Sequence, residues 1–147
     1  MADHNDTGKW GEDVAANLLR QKGYNILARN YRVGSLEIDI IAEDKNFTVF
    51  VEVKTRSSKY ADILPEQYVD REKEMNIVHA ASTYIKTNRI TKDIRFDVVS
   101  LIINPSTQEI SRLEHIENAF YPTLRTVSQN SFNGHYRWQK KGKRRGL

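Results

Sequence analysis

Two hydrophobic periods alternate along this chain. Between Asn5 and Lys22, apolar side chains recur at Trp10, Val14, Leu18 and Leu19, the spacing of an amphipathic helix. Asp6 or Thr7 can cap its start, and Gly23 suits its end. Tyr24 to Tyr31 reads as a strand, and Gly34-Ser35 as a turn. Leu36 to Ala42 is a second strand, with Ile38 and Ile40 expected on one face and Glu37 and Asp39 on the other. After an Asp44-Lys45-Asn46 turn, Phe47 to Thr55 gives the clearest strand. There Val49, Val51 and Val53 face one way, and Phe50, Glu52 and Lys54 the other. Residues 56–66, with Ser57-Ser58 and Pro65, read as a loop. A helix from Val69 to Thr87 follows, with Met75, Val78, Ala81, Tyr84 and Ile85 on one side. Phe96 to Ile103 is a fourth strand, Asn104-Pro105-Ser106 a turn, and Glu109 to Ile116 a weaker strand. Helix, three strands, helix, two strands implies an α/β domain whose central mixed sheet is flanked by helices.

Composition narrows the class. The chain of 147 residues suits one domain with a real core. No apolar run approaches the roughly 18–20 residues needed to span a bilayer, so a membrane partner is not expected. The polar, acidic Met1-Ala2-Asp3-His4-Asn5-Asp6 lacks the basic start and apolar stretch of a signal peptide, and a cytoplasmic location is expected. Cysteine is absent, so any metal must be held by oxygen or histidine. The net charge of +4 is uneven. Seven of the 23 basic residues lie beyond residue 120, where there is no acid, which leaves 16 basic against 19 acidic residues before it. Hydrophobic periodicity is lost past Pro122. Residues 1–122 are therefore expected to fold, with 123–147 as a basic tail. Such a tail attracts phosphate polymers without reading sequence, and it can equally be a solubilising terminus.

Charge inside apolar strands supplies the candidate chemistry. Asp39 lies in one strand, and Glu52 and Lys54 in the next, a short turn away. Pairing as a hairpin would bring them together. Charged groups in such strands are costly unless paired or metal-bound. Two carboxylates can hold Mg²⁺, with Mn²⁺ as a substitute. The lysine can orient a water or offset transition-state charge, and the Val53 carbonyl can add an oxygen ligand. A salt-bridge ladder across a hairpin would give the same pattern.

Several stretches occur in a specific order: Gly8-Lys9-Trp10-Gly11-Glu12, Gly23-Tyr24-Asn25-Ile26-Leu27, Arg29-Asn30-Tyr31-Arg32, Glu37-Ile38-Asp39, Phe50-Val51-Glu52-Val53-Lys54-Thr55-Arg56, Arg95-Phe96-Asp97-Val98-Val99 and His115-Ile116-Glu117-Asn118-Ala119-Phe120. The series resembles the YraN family of endonuclease-like bacterial proteins over about residues 7–120. That family is similar to archaeal Holliday junction resolvases within the PD-(D/E)XK nuclease group. The resemblance implies a restriction-endonuclease-like core and Mg²⁺-dependent hydrolysis of DNA phosphodiesters. It assigns Asp39 and Glu52 to the metal and Lys54 to the motif lysine. It also brings in Glu12, although an acid in a first helical turn is favoured by the helix dipole alone. Leu36 stands where the family usually has glycine before Glu-Ile-Asp.

Other residues are weighed beside these. Glu37 is either a further ligand or, more simply, the partner of an arginine. Arg56 and Lys73 can contact phosphate or face solvent. In the tail, Arg137, Lys140, Lys141, Lys143, Arg144 and Arg145 are candidate nucleic-acid contacts, with Tyr136 and Trp138 interleaved for stacking. His79 and His115 have no partner at ligand spacing, and Trp10 and Tyr84 read as core. A homodimer would suit two-strand cleavage of a junction. Two rivals keep the same residues: a non-catalytic nucleic-acid-binding or adaptor protein on a nuclease scaffold, and a salt-bridged structural domain.

Overall fold

The computed structural model describes residues 4–58, 70–120 and 122, with the backbone alone for 4–6. Seven elements follow in order: α1 (His4–Gln21), β1 (Asn25–Val33), β2 (Leu36–Glu43), β3 (Phe47–Ser57), α2 (Arg71–Thr87), β4 (Asp93–Ile103) and β5 (Ile110–Phe120). The strands form one sheet in the order β1-β2-β3-β4-β5. Its joins are antiparallel except β3–β4, which is parallel. A parallel join needs a crossover, and α2 lies in that connection. The expected mixed sheet flanked by helices is what the chain forms.

Each turn has a local cause. Gly34, at φ 59°, opens the two-residue link of the first hairpin, where positive φ matches strand twist. In the second, Asp44 accepts from the backbone N–H groups of Asn46 and Phe47 at 2.8 and 2.7 Å, a side-chain mimic of a backbone turn. Gly23, at φ 95°, closes α1 with bonds from Tyr24 N–H to Leu19 and from Gly23 N–H to Arg20, both 3.0 Å, the Schellman pattern. Asp70 caps α2 by accepting from Lys73 N–H at 2.8 Å.

The core has two halves. On the α2 side, Ile38, Ile41, Phe50, Phe96, Val98 and Phe120 meet Ile77, Val78, Ala81, Tyr84 and Ile85. On the α1 side, Ile40, Val49, Val51, Val99 and Leu101 meet Ala15, Ala16, Leu19 and Tyr24. Fully burying each large apolar side chain contributes about 1.5–3 kcal/mol.

Several sequence expectations are corrected. Helix α1 begins by His4, so Asp6 and Thr7 lie inside it rather than capping it. Its sheet-facing side is Gly11, Ala15, Ala16 and Leu19, while Val14 and Leu18 flank it and Trp10 is 37% exposed. Small residues, not large ones, let this helix sit close. Ile38 and Ile40 pack on opposite sides of the sheet. Arg56 and Ser57 continue β3 instead of starting a loop. β5 runs to Phe120 because a bulge, with Asn118 at φ 54°, returns Ala119 and Phe120 to the core. Val69, residues 59–66 and the tail 123–147 lie outside the described residues.

Candidate active site

A fork between β2 and β3 sets the site. These strands pair from Glu43↔Thr48 to Ile40↔Val51. Beyond that, β2 stays with β1 as far as Leu36, and β3 stays with β4 as far as Ser57. Asp39 is the first residue past the last β2–β3 pair, and its Oδ2 accepts from the Val53 backbone N–H at 2.8 Å. A carboxylate thus replaces the missing strand partner. It satisfies a backbone donor that would otherwise be unpaired.

Helix α1 reaches the fork because Gly11 has no side chain. A methyl group there would overlap Thr55 Oγ1 of β3. The next residue, Glu12, joins Glu37 and Asp39, with one carboxylate oxygen from each lying within 4.8 Å of the others. Glu37 also pairs with the largely exposed Arg32 at 3.4 Å. The arginine partner expected for Glu37 is thus Arg32. Across the fork, Glu52 is buried, 3% exposed, and its Oε1 lies 3.1 Å from Lys54 Nζ and 3.6 Å from Lys73 Nζ of α2. Its Oε2 is buried without a hydrogen-bond partner.

The electrostatics follow from this crowding. Burial, then the charges of Asp39 and Glu37, pushes the Glu12 carboxyl up to about 7. Burial and the charge of Asp39 likewise push Glu52 up to about 7, against the pull of Lys54 and Lys73. Four carboxyls meet two lysines and Arg32, so when all four are ionised the acids outnumber their cations. A set of hard oxygen donors with that surplus suits a divalent cation of the Mg²⁺ kind.

Of the expected residues, Glu12 and Asp39 share one close group with Glu37, Glu52 pairs with Lys54 across the fork, and Val53 meets Asp39 through its N–H. Lys73 belongs to the site through Glu52. Arg56 lies two residues past Lys54, half-buried, with its Nη1 3.4 Å from the Thr55 carbonyl. Arg137, Lys140, Lys141, Lys143, Arg144 and Arg145 lie outside the described residues.

A second polar cluster was not foreseen. Arg95 holds Asp97 with two bonds of 2.9 and 2.8 Å and donates to the Tyr24 hydroxyl. Asp97, fully buried, also meets His115 Nε2 at 2.7 Å and accepts from Asn118 N–H at 3.1 Å. Lys22 Nζ lies 2.6 Å from His115 Nδ1. Burial alone would raise the Asp97 carboxyl, but the bonds from His115 and Arg95 outweigh it and hold the group below its usual range. The network ties the end of α1 to β4 and β5. The available signal was Arg95-x-Asp97 on one face of an apolar strand.

Comparison with known proteins gives one family. The model of "Uncharacterised protein family UPF0102" matches residues 11–101. A UPF0102 protein of Porphyromonas gingivalis is 43% identical over 131 residues, covering 89% of this chain and 95% of that protein. One from Flavobacterium psychrophilum is 42% identical over 122 residues, covering 82% and 98%. One from Bacteroides thetaiotaomicron is 43% identical over 125 residues, covering 84% and 99%.

Proposed function

We propose that this chain, which belongs to the uncharacterised protein family UPF0102, is a divalent-metal-dependent nuclease hydrolysing DNA phosphodiester bonds, with branched structures such as four-way junctions among its substrates. Two observations support this reading: the buried, unpartnered Glu52 Oε2, which feels the charge of Asp39, and the close group of Glu12, Glu37 and Asp39. Glu12, Asp39, Glu52 and the Val53 carbonyl would hold the cation, Mg²⁺ or, as a substitute, Mn²⁺. When bound, such a cation lowers the pKa of water and draws charge from a phosphoryl oxygen.

The chain's own groups divide the remaining work. Asp39, held by Val53 N–H, is fixed in orientation before any ligand arrives. Lys54 orients a water and offsets charge that grows on the phosphate. Lys73 adds positive charge from the first turn of α2, where backbone N–H groups also favour anions. Arg56 and the tail's Arg137, Lys140, Lys141, Lys143, Arg144 and Arg145 are proposed phosphate contacts. Among the described residues, no helix is long and apolar enough to cross a membrane, and a cytoplasmic, DNA-bound protein is proposed. A homodimer would let two sites cut both strands of a junction.

The test is cleavage of labelled four-way junction, flap, single-stranded and duplex DNA in Mg²⁺, Mn²⁺ or EDTA. Cleavage is expected with either metal and not in EDTA. Glu52→Gln and Lys54→Ala should each slow it on the order of 100-fold or more. The rival scaffold-only reading has one observation in its favour, since two lysines already face Glu52. Tight DNA binding in EDTA, unchanged by Asp39→Ala and without cleavage of any substrate, would establish that rival.

A further inference from the structure

Asn30 lies within β1 at φ 52°, a left-handed conformation that non-glycine residues seldom adopt and asparagine tolerates best. Its effect on the strand is visible in the packing. Ala28 and Tyr31 both pack against the α2-side core, although residues three apart in an unbroken strand face opposite ways. Arg29 points the other way, to Asp13 of α1 at 2.7 Å. The turn at Asn30 therefore aims its own side chain to the α1 side of the sheet.

There the amide finds two acids. With its nitrogen turned toward them, Asn30 donates to Glu37 Oε1 at 2.9 Å and to Glu12 Oε2 at 3.1 Å; the reverse orientation would set its oxygen against both carboxylates. One amide group thus serves two carboxylates from different elements, one in α1 and one in β2. We propose that Asn30 is a positioning residue for the cation site, its left-handed backbone and bridging amide holding Glu12 and Glu37 beside Asp39. The proposal rests on the metal-binding reading above. Its physical sense is that two close carboxylates repel, and something must hold them together before a cation binds. A lysine or arginine would do so but would compete with the cation as a charge. A neutral amide holds the pair without adding a cation to that of Arg32, which reaches Glu37 from an exposed position.

Asn30→Gly separates the two roles, because glycine keeps the left-handed backbone and removes the amide. The full-length variant should keep the wild-type circular dichroism and melt within a few degrees of wild type. Its Mn²⁺ affinity, measured by calorimetry, should fall about 10–100-fold, the usual effect of losing a residue that orients a ligand. A second measurement reads the bridge without metal. In wild-type protein, NMR should show the Asn30 side-chain amide protons dispersed away from those of solvated amides, and Glu37→Ala should move them. Solvated-type shifts insensitive to Glu37→Ala would overturn the proposal. So would unchanged Mn²⁺ affinity in Asn30→Gly while Asp39→Ala abolishes binding; that result leaves the metal site standing. No Mn²⁺ binding by wild type would overturn the metal reading and this role together.

Discussion

Glu52 and Glu12 each titrate near 7 in the folded chain, against an ordinary value of 4.5. The folded state therefore holds protons that the unfolded state has released between those values. By linkage, stability falls as pH rises through that window. Metal-free protein should resist urea better at pH 5 than at pH 8, and Glu52→Gln should flatten that slope. Mg²⁺ needs the ionised carboxylates, so it should raise the melting temperature more at pH 8 than at pH 5. An equal rise at both values would contradict the assignment of these acids. Gly11 makes a different prediction. Gly11→Ala gains helix propensity but overlaps Thr55 Oγ1, and such overpacking costs about 1–3 kcal/mol. Adding Thr55→Ala should recover much of the loss in a denaturation experiment. If Gly11→Ala alone is neutral, the helix has room that the structure denies it.

Elements were legible where periodicity was strong and packing ordinary. The strand at Phe47, the second helix and the paired turns followed from alternation and turn residues. The charged triad Asp39, Glu52 and Lys54 stood out because charge in apolar strands demands a reason. What was hidden depends on a single backbone conformation or on distant partners. Alternation put Ile38 and Ile40 on one face, but their β1 partners Tyr31 and Arg29 lie on either side of the left-handed Asn30. Reading large residues on α1 missed the small face that lets it approach β3. Arg95-x-Asp97 and His115 stand in separate sequence stretches, and nothing local joins a histidine in β5 to an aspartate in β4. Their network gives its own prediction. Asp97→Ala leaves the buried Arg95 charge with only the Glu117 carboxylate at 3.9 Å, and breaking a buried pair typically costs about 3–5 kcal/mol. Asp97 is held below its ordinary 3.8, so its contribution is present above that value and lost as pH falls through the lower, folded one. An acid-denaturation midpoint unmoved by Asp97→Asn would argue against that coupling.

At the scale of the whole molecule, most of the proposed chemistry lies in a short stretch of chain. Glu12, Asn30, Glu37, Asp39, Glu52 and Lys54 all precede α2, and Lys73 lies in its first turn. The sheet has a matching division. β1, β2 and β3 form a local antiparallel meander and β4 with β5 a local hairpin, joined by the parallel β3–β4 ladder. Closing local hairpins is fast, whereas pairing strands across a long connection must first overcome chain entropy. The two halves of the sheet should therefore take shape separately, with the crossover as the slow step of assembly. Pulse-labelling hydrogen exchange during refolding should protect the Ile40 and Val51 region before the amides shared by β3 and β4. The acids would then converge while Glu52 still lacks a completed sheet beside it, and a divalent cation present at that stage should speed refolding by relieving their repulsion.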